Sequence, residues 1–336
     1  MRTHRHASFD RFGGPDVIHV VDSPMPEPGP DEVRVQVEAS SVQFTDTLIR
    51  AGVYPDVRGP LPVTPGYDVV GRVDAVGSGV TGWKVGDRVA DLCTIGGNAT
   101  HVLRPAAGLV RVPDRVDAAE AATLVLSWVT AWQAIVRNGG LKSGETLLVH
   151  GGMGAVGQAA ITLGVRLGAR VIATARASHA DAVRALGAEP LDYRSDWLAA
   201  VRSAGGADVV LDGVGERLFF RSRSALKPGG RLVAIGVTGS AKSGALWMTL
   251  GFLFALFVHP WLPGSRRASF YGITQLRKAD PAPFREDLER LLGWLDDGSL
   301  RVRVAKRIGL AEVGPTHAAL EAGGLDGKVV VVPERG

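Results

Sequence analysis

Cysteine is nearly missing from this chain, with one residue, Cys93, among 336. An internal disulfide is therefore impossible, as is a multi-cysteine zinc lobe within one chain, and a reducing compartment fits. Aromatics are sparse at 6%, charged residues make up 21%, and no block of like charges occurs. A formal charge of +4 over this length makes the pI of 9.4 the property of a mixed, solvated surface, so no nucleic-acid partner is expected. Internal repeats and low-complexity segments are absent. The N-terminal MRTHRHASFD has basic residues without an apolar run behind them, unlike a secretory signal, and a cytoplasmic location is the expectation.

Long apolar runs are few, and one stands out. Ala245 to Val258 reads ALWMTLGFLFALFV and is closed by His259, Pro260 and Pro263. At 1.5 Å per residue a helix over this run covers about 21 Å, short of the roughly 30 Å hydrocarbon core. It is expected to line an apolar substrate channel or a subunit contact, with attachment to a membrane surface as the alternative. Phe252 to Phe257, with Trp247 and Trp261, point to a bulky hydrophobic small-molecule substrate.

Glycine, by contrast, is abundant at 44 residues, and its placement is informative. Leu147 to Gly157 reads LLVHGGMGAVG, an apolar strand running into Gly152, Gly154 and Gly157. That spacing suits a dinucleotide pyrophosphate: Gly152 for the tight turn, Gly154 for close backbone approach, Gly157 for helix-to-strand packing. Anions are then held by unpaired N–H groups at the helix N-terminus, and Ala155 and Val156 join the glycines as cofactor-binding candidates. The context agrees, with a buried strand over 145–150, a helix over 158–167 and a second strand over 169–174.

Two domains are expected from the length and the order of elements. Up to about residue 121 the chain shows short β-type runs, including 32–38, 69–76 and 88–92, punctuated by Pro and Gly. Between 122 and 264 strands at 146–149, 170–174, 209–212 and 231–235 alternate with helical stretches. Such alternation predicts an α/β fold with a Rossmann-type, doubly wound parallel sheet. The remainder, 265–336, holds an amphipathic helix near 284–295 and a strand at 328–332, and is assigned back to the first domain, 1–121. An active cleft is expected between the two.

The cofactor can be narrowed further. In such a sheet an acid at the end of the second strand, about 20 residues past the glycines, binds the ribose hydroxyls of NAD. Here VIATARAS places Ala175 at that point, after Thr174, with Arg176 beside it. Without a carboxylate to repel it, the 2′-phosphate of NADP is tolerated, and Arg176 can pair with it. NADP(H) is the expected cofactor.

Several strings together resemble the medium-chain dehydrogenase/reductase superfamily, and within it the zinc-free quinone oxidoreductase group. They are VEASSVQFTDTLIRAGVYP at 37–55, TPGYDVVGRVDAVGSGVTGWKVGDRV at 64–89, LSWVTAW at 126–132, HGGMGAVGQA at 150–159, DGVG at 212–215, LKPGGRLVAIG at 226–236 and GKVVVV at 327–332. The resemblance implies a GroES-like substrate domain beside the Rossmann domain, and a homodimer. It places Thr130 and Gln43 beside the nicotinamide, Tyr193 of LDYR over the adenosine phosphate, Val214, Gly215, Gly236 and Val237 near the ribose, and Lys328 of GKVVVV among the cofactor residues. Ordinary core packing is the competing reading for Tyr193.

The departures matter as much. Zinc-dependent members have cysteine, histidine and glutamate where this chain has Gln43, Tyr67 and Asp68, so no metal is expected. Gln43 also replaces an asparagine common in the quinone reductases, yet its carboxamide can still bond the cofactor amide or the substrate oxygen. Without a Lewis acid to hold an alkoxide, the expected reaction is hydride delivery to an acceptor with its own electron sink, a quinone or an α,β-unsaturated carbonyl compound. Tyr54 and then Tyr67 are the candidate phenols for polarising or protonating it, and Asp46 and Asp68 are assigned to structural hydrogen bonding. Two other readings stay open: a reductive cyclase, in which the enolate formed by hydride addition closes a ring, and a nucleotide-binding protein without turnover.

Overall fold

The computed structural model describes residues 2–54, 57, 60–215, 217–235, 267–323, 325 and 327–334. Two compact units emerge, one of Met1–Leu126 with Asp280–Gly336 and one of Ser127–Ala279. Gly236, Val237, the apolar run 245–258, Trp247 and Trp261 lie outside the described residues.

The first unit starts with an antiparallel pair, β1 (Thr3–Ser8) and β2 (His19–Pro24). Next come β3 (Glu32–Ser41), β4 (Asp68–Val76), β5 (Arg88–Leu92), β6 (His101–Pro105) and β7 (Val110–Arg111). Their pairings are antiparallel, β3 with both β4 and β6, β4 with β5, and β5 with β7. Alternation in EVRVQV turns Val33 and Val35 to one face, where they pack with Val73, Val89 and Leu109. Each such valine contributes roughly 1.5–3 kcal/mol when fully buried.

The second unit is a six-stranded parallel sheet of β8 (Thr146–His150), β9 (Arg170–Ala175), β10 (Glu189–Asp192), β11 (Ala207–Asp212), β12 (Leu226–Ala234) and β13 (Arg267–Phe270). The strands lie in the order β10-β9-β8-β11-β12-β13. Helices Ala155–Arg166, Ala180–Ala185, Trp197–Ser203 and Arg217–Ser224 make the crossovers. Parallel strands need such crossovers, and with both faces covered they are apolar on consecutive residues, as Leu147, Leu148 and Val149 are in β8, all five of whose residues are buried. One core layer gathers Leu148, Ile172, Trp197, Val210 and Leu232. The chain leaves β8 for β9 on one side and reaches β11 on the other, so the sheet's switch point lies at the end of β8.

The chain then returns to the first unit, where β14 (Val304–Ile308) and β15 (Lys328–Val331) complete the mostly antiparallel sheet in the order β14-β15-β3-β4-β5-β7. The helix expected near 284–295 spans Ala282–Asp296.

Both domain edges differ from expectation. Residues 267–279 belong to the second unit, because β13 extends its sheet by pairing parallel to β12, Arg231 opposite Arg267. Residues 122–126 group with the first unit. Among the described residues one helix, Ala118–Asn138, is long and apolar enough to cross a membrane, and it is 83% buried, the profile of a core helix.

Candidate active site

In the second unit the glycine loop follows β8 directly. The left-handed residue of the turn is Gly151, with φ of 71°, and not Gly152 as expected. Gly152 is instead pinned between elements: its N–H donates to the Thr174 carbonyl at 2.9 Å, and a Cβ there would lie 2.9 Å from the Ala173 Cβ. A Cβ on Gly157 would stand 2.2 Å from the Gly151 carbonyl oxygen, so helix and loop can approach this closely only at glycine. Gly154 is the N-cap of Ala155–Arg166 and brings no capping side chain. The first-turn N–H groups of Ala155, Val156 and Gly157 therefore find no acceptor within the helix, which is the arrangement that receives an anion.

Neighbouring strand ends add to this rim. At the end of β9, Thr174 is buried with its hydroxyl 3.0 Å from His150 Nδ1, while Arg176 is exposed. His150 packs edge-on against Trp197, and burial lowers its pKa, so the ring is neutral. Tyr193 donates its N–H to the Ala175 carbonyl at 3.0 Å. The residue is 47% exposed, with the Arg194 guanidinium 5.4 Å from its ring centroid, so the core-packing reading does not hold. After β11, Asp212 accepts the N–H groups of Val214 and Gly215, both at 2.9 Å, and the Ser222 hydroxyl at 3.2 Å. Asp212 thus shapes the turn, a role that sequence reasoning missed although DGVG carried the signal. Thr130 is buried within its own helix.

A second constellation is buried in the first unit. Gln43 caps the Phe44–Arg50 helix, and its N–H donates to Asp46 Oδ2 at 2.8 Å. The Gly66 N–H donates to the other oxygen of Asp46 at 3.2 Å. Asp68, at the start of β4, accepts the Ser41 N–H at 2.6 Å, the Ser41 hydroxyl, and Gln43 Nε2 at 2.9 Å. Gln43 Nε2 also donates to Ser41 Oγ at 2.6 Å, and Gln43 Oε1 accepts from the Lys328 ammonium. The carboxamide read from sequence as available to cofactor or substrate is thus engaged at both ends by its own unit. Lys328, read as a cofactor residue, points its ammonium at Gln43. Ser41 was missed, since nothing local marks a serine 27 residues from its carboxylate partner.

Burial dominates the electrostatics here. It pushes Asp46 up to about 7 against the two backbone N–H groups, and Lys328 down to about 8 against the pull of Asp68 and Asp46. It raises Asp68 as well, opposed by Lys328, Ser41 and Gln43. Alongside, the Tyr54 and Tyr67 hydroxyls lie 2.8 Å apart with their rings edge to face, Tyr67 buried and Tyr54 half-buried. Cys93 is buried and its thiol donates to the Gly66 carbonyl, and burial raises its pKa, which makes it an inert thiol. Among the described residues no group of three or more His, Cys, Asp or Glu side chains is placed to hold a metal ion.

The chain matches the family model described as zinc-binding dehydrogenase over residues 186–331, and that of the alcohol dehydrogenase GroES-like domain over 29–114. It is 33% identical to a quinone oxidoreductase of Pseudomonas aeruginosa across 98% of this chain and 99% of that one. The mycobacterial protein Rv1454c complexed with NADPH superposes with a TM-score of 0.83 at 31% identity, covering 98% of this chain and all of that one. The CurK enoyl reductase superposes at 0.85 with 25% identity, over 99% of this chain and all of the other.

Proposed function

The chain belongs to the medium-chain dehydrogenase/reductase superfamily, in its quinone oxidoreductase-like group, and from that premise we propose that it is an NADPH-dependent, zinc-independent oxidoreductase that reduces hydrophobic quinones or α,β-unsaturated carbonyl compounds. The observation that carries the cofactor half is the glycine cradle beside an acid-free strand end. A Cβ at Gly157 would collide with Gly151, the helix N–H groups are uncapped by any side chain, and exposed Arg176 follows Ala175 where an acid would select NAD. The NADPH complex of the mycobacterial relative agrees with it. The Ala155, Val156 and Gly157 N–H groups would hold the pyrophosphate, with Gly152 and Gly154 leaving room for its approach, and Arg176 would hold the 2′-phosphate.

Zinc independence is supported by the donor set. Gln43 and Tyr67 offer neither thiolate nor imidazole, Asp68 is committed to Ser41 and Gln43, and the Lys328 ammonium faces the same carboxylates. These side chains do not suit a zinc ion, despite the family model's description. Bound NADPH supplies a hydride, and the acceptor gains that hydride plus one proton, so that a quinone leaves as the hydroquinone, or an enone as the saturated carbonyl compound, with NADP⁺ as the other product. The Tyr54–Tyr67 pair supplies hydroxyls that can pass a proton toward the oxyanion so formed, with solvent restoring it. The apolar run 245–258 supports a hydrophobic acceptor.

The test is loss of NADPH absorbance with a panel of para-quinones and enones, with NADH run in parallel. Turnover with NADPH and a quinone or enone supports the proposal. Tight NADPH binding without oxidation across the panel refutes it and favours the non-catalytic reading. Product NMR separates plain saturation from ring closure.

A further inference from the structure

Lys328 is a cation placed where burying a charge is costly, and the groups around it explain how it is kept there. It sits at the start of β15, with 6% of its surface exposed, and its Nζ donates to Gln43 Oε1, a partner 285 residues away. The other end of that amide donates to Asp68 Oδ2 and Ser41 Oγ. The carboxamide therefore lies with its oxygen toward a cation and its NH2 toward a carboxylate. Turning it over would set NH2 against ammonium and oxygen against carboxylate, so the two charges fix its orientation. The contacts described for Asp68 are all donors, the set that suits an ionised carboxylate.

We infer that Lys328 is a positioning residue for the reaction, the fixed cation of this site, which acts by locking the Gln43 amide between its own ammonium and the Asp68 carboxylate. Two of the three side chains that stand at the zinc-ligand positions of the zinc-dependent relatives, Gln43 and Asp68, here lie beside a monovalent cation that is part of the polypeptide. Its effect on turnover rests on the reductase reading above, whereas its effect on Gln43 does not. The charged groups that face Lys328 are Asp68 on β4 and Asp46 on the Phe44–Arg50 helix, and near both carboxylates lies Cys93, itself close to Arg104 and Asp91. Deprotonated, the amine can still donate to Gln43 Oε1 but no longer carries the charge that sets the amide against the Asp68 carboxylate, so the lock loosens as pH rises through about 8.

The chain contains five glutamines, so side-chain 15N labelling of glutamine yields five NH2 signal pairs, and the Gln43 pair is the one lost in Gln43→Glu. In the wild type this pair is expected to shift with a midpoint near pH 8. In Lys328→Arg, whose guanidinium does not titrate, the movement near pH 8 is absent, and any shift left is centred near pH 7, where Asp46 titrates. With a quinone that the enzyme accepts, Lys328→Met lowers kcat on the order of 100-fold while the NADPH dissociation constant stays within twofold. Lys328→Arg restores most of the rate and abolishes the alkaline fall of kcat/KM that the wild type shows. A wild-type Gln43 pair that does not move, a Met variant with the wild-type rate and pH profile, or a loss confined to NADPH affinity overturns the inference. If the Met variant does not fold, the wild-type and Arg titrations decide. In a protein that reduces none of the panel the same NMR titration still supports or overturns the lock, so the two readings fail separately.

Discussion

Gly157→Ala is the sharpest perturbation of the phosphate loop, and its cost follows from one distance. The added Cβ would sit 2.2 Å from the Gly151 carbonyl oxygen and 2.9 Å from the backbone of Gly152. Ordinary contact needs roughly 3.5 Å, so helix and loop must part by about 1 Å, and backbone cannot rotate aside as a side chain can. Overpacking of this kind costs about 1–3 kcal/mol, which for a unit of this size lowers the melting temperature by roughly 2–12 °C. Shifting the helix N-terminus also forfeits at least one charge-assisted hydrogen bond to the pyrophosphate, about 1.5–3 kcal/mol, or roughly 10- to 150-fold in NADPH affinity. Two companion variants calibrate the effect. In Gly154→Ala the new Cβ is 3.3 Å from the same oxygen, so a shift of a few tenths of an ångström suffices and both losses should be small. In Gly293→Ala, on an exposed turn of the Ala282–Asp296 helix with nothing within 4 Å, stability should rise by roughly 0.5–1 kcal/mol. The assay is thermal unfolding together with NADPH fluorescence titration. A Gly157→Ala protein with wild-type melting temperature and wild-type affinity would refute the close-approach reasoning.

Arg176→Ala should weaken NADPH by about tenfold, the low end for a charge-assisted bond because the side chain is exposed, and leave NADH nearly unchanged. Equal losses for both cofactors, measured by fluorescence titration, would remove Arg176 from the 2′-phosphate. Asp46 should make the protein less stable as pH rises from about 4 to about 7, since the folded carboxyl keeps a proton that the unfolded chain has already released. Melting temperatures across that window should slope downward in the wild type and flatten in Asp46→Asn, whatever the offset between the two; parallel slopes would show that Asp46 is ionised throughout.

The proposed chemistry makes different demands on the two units. The second needs only backbone N–H groups and small residues at its rim, which a strand, a turn and a helix provide together. The first must manage two carboxylates and an ammonium away from water. It does so by giving nearly every polar atom a partner: Asp46 takes two backbone N–H groups, and Asp68 takes Ser41 twice and Gln43 once. Partnering of this kind offsets the desolvation cost that an isolated buried charge would impose. It also means that single substitutions at Ser41, Gln43 or Asp68 will act on the whole set, and only combined variants can apportion their effects.

What the amino-acid order determined alone is whatever depends on near neighbours. The apolar runs of β8, β9 and β11, the glycine spacing, the missing acid at Ala175 and the multi-motif family resemblance all lie within short windows, and the strands assigned ranges from sequence lie within five residues of those observed, the largest gap being the start of Leu226–Ala234. The Arg88–Leu92 strand matched at both ends. Even inside the loop the assignment was imperfect, because GG offers two residues for one left-handed position, and only the pull of Gly152 N–H toward Thr174 leaves that position to Gly151. Tertiary structure decided everything that needed distant partners. The membership of β13 in the parallel sheet depends on pairing with β12, and Asp212's role depends on how the turn after it folds back onto its carboxylate. The Lys328–Gln43–Asp68 lock joins residues up to 285 positions apart. Sequence periodicity reports which face of an element is apolar, but a buried hydrogen bond between β15, the start of a helix and β4 is specified only by the packing that brings those three backbones together and shuts out the water that would otherwise separate their charges.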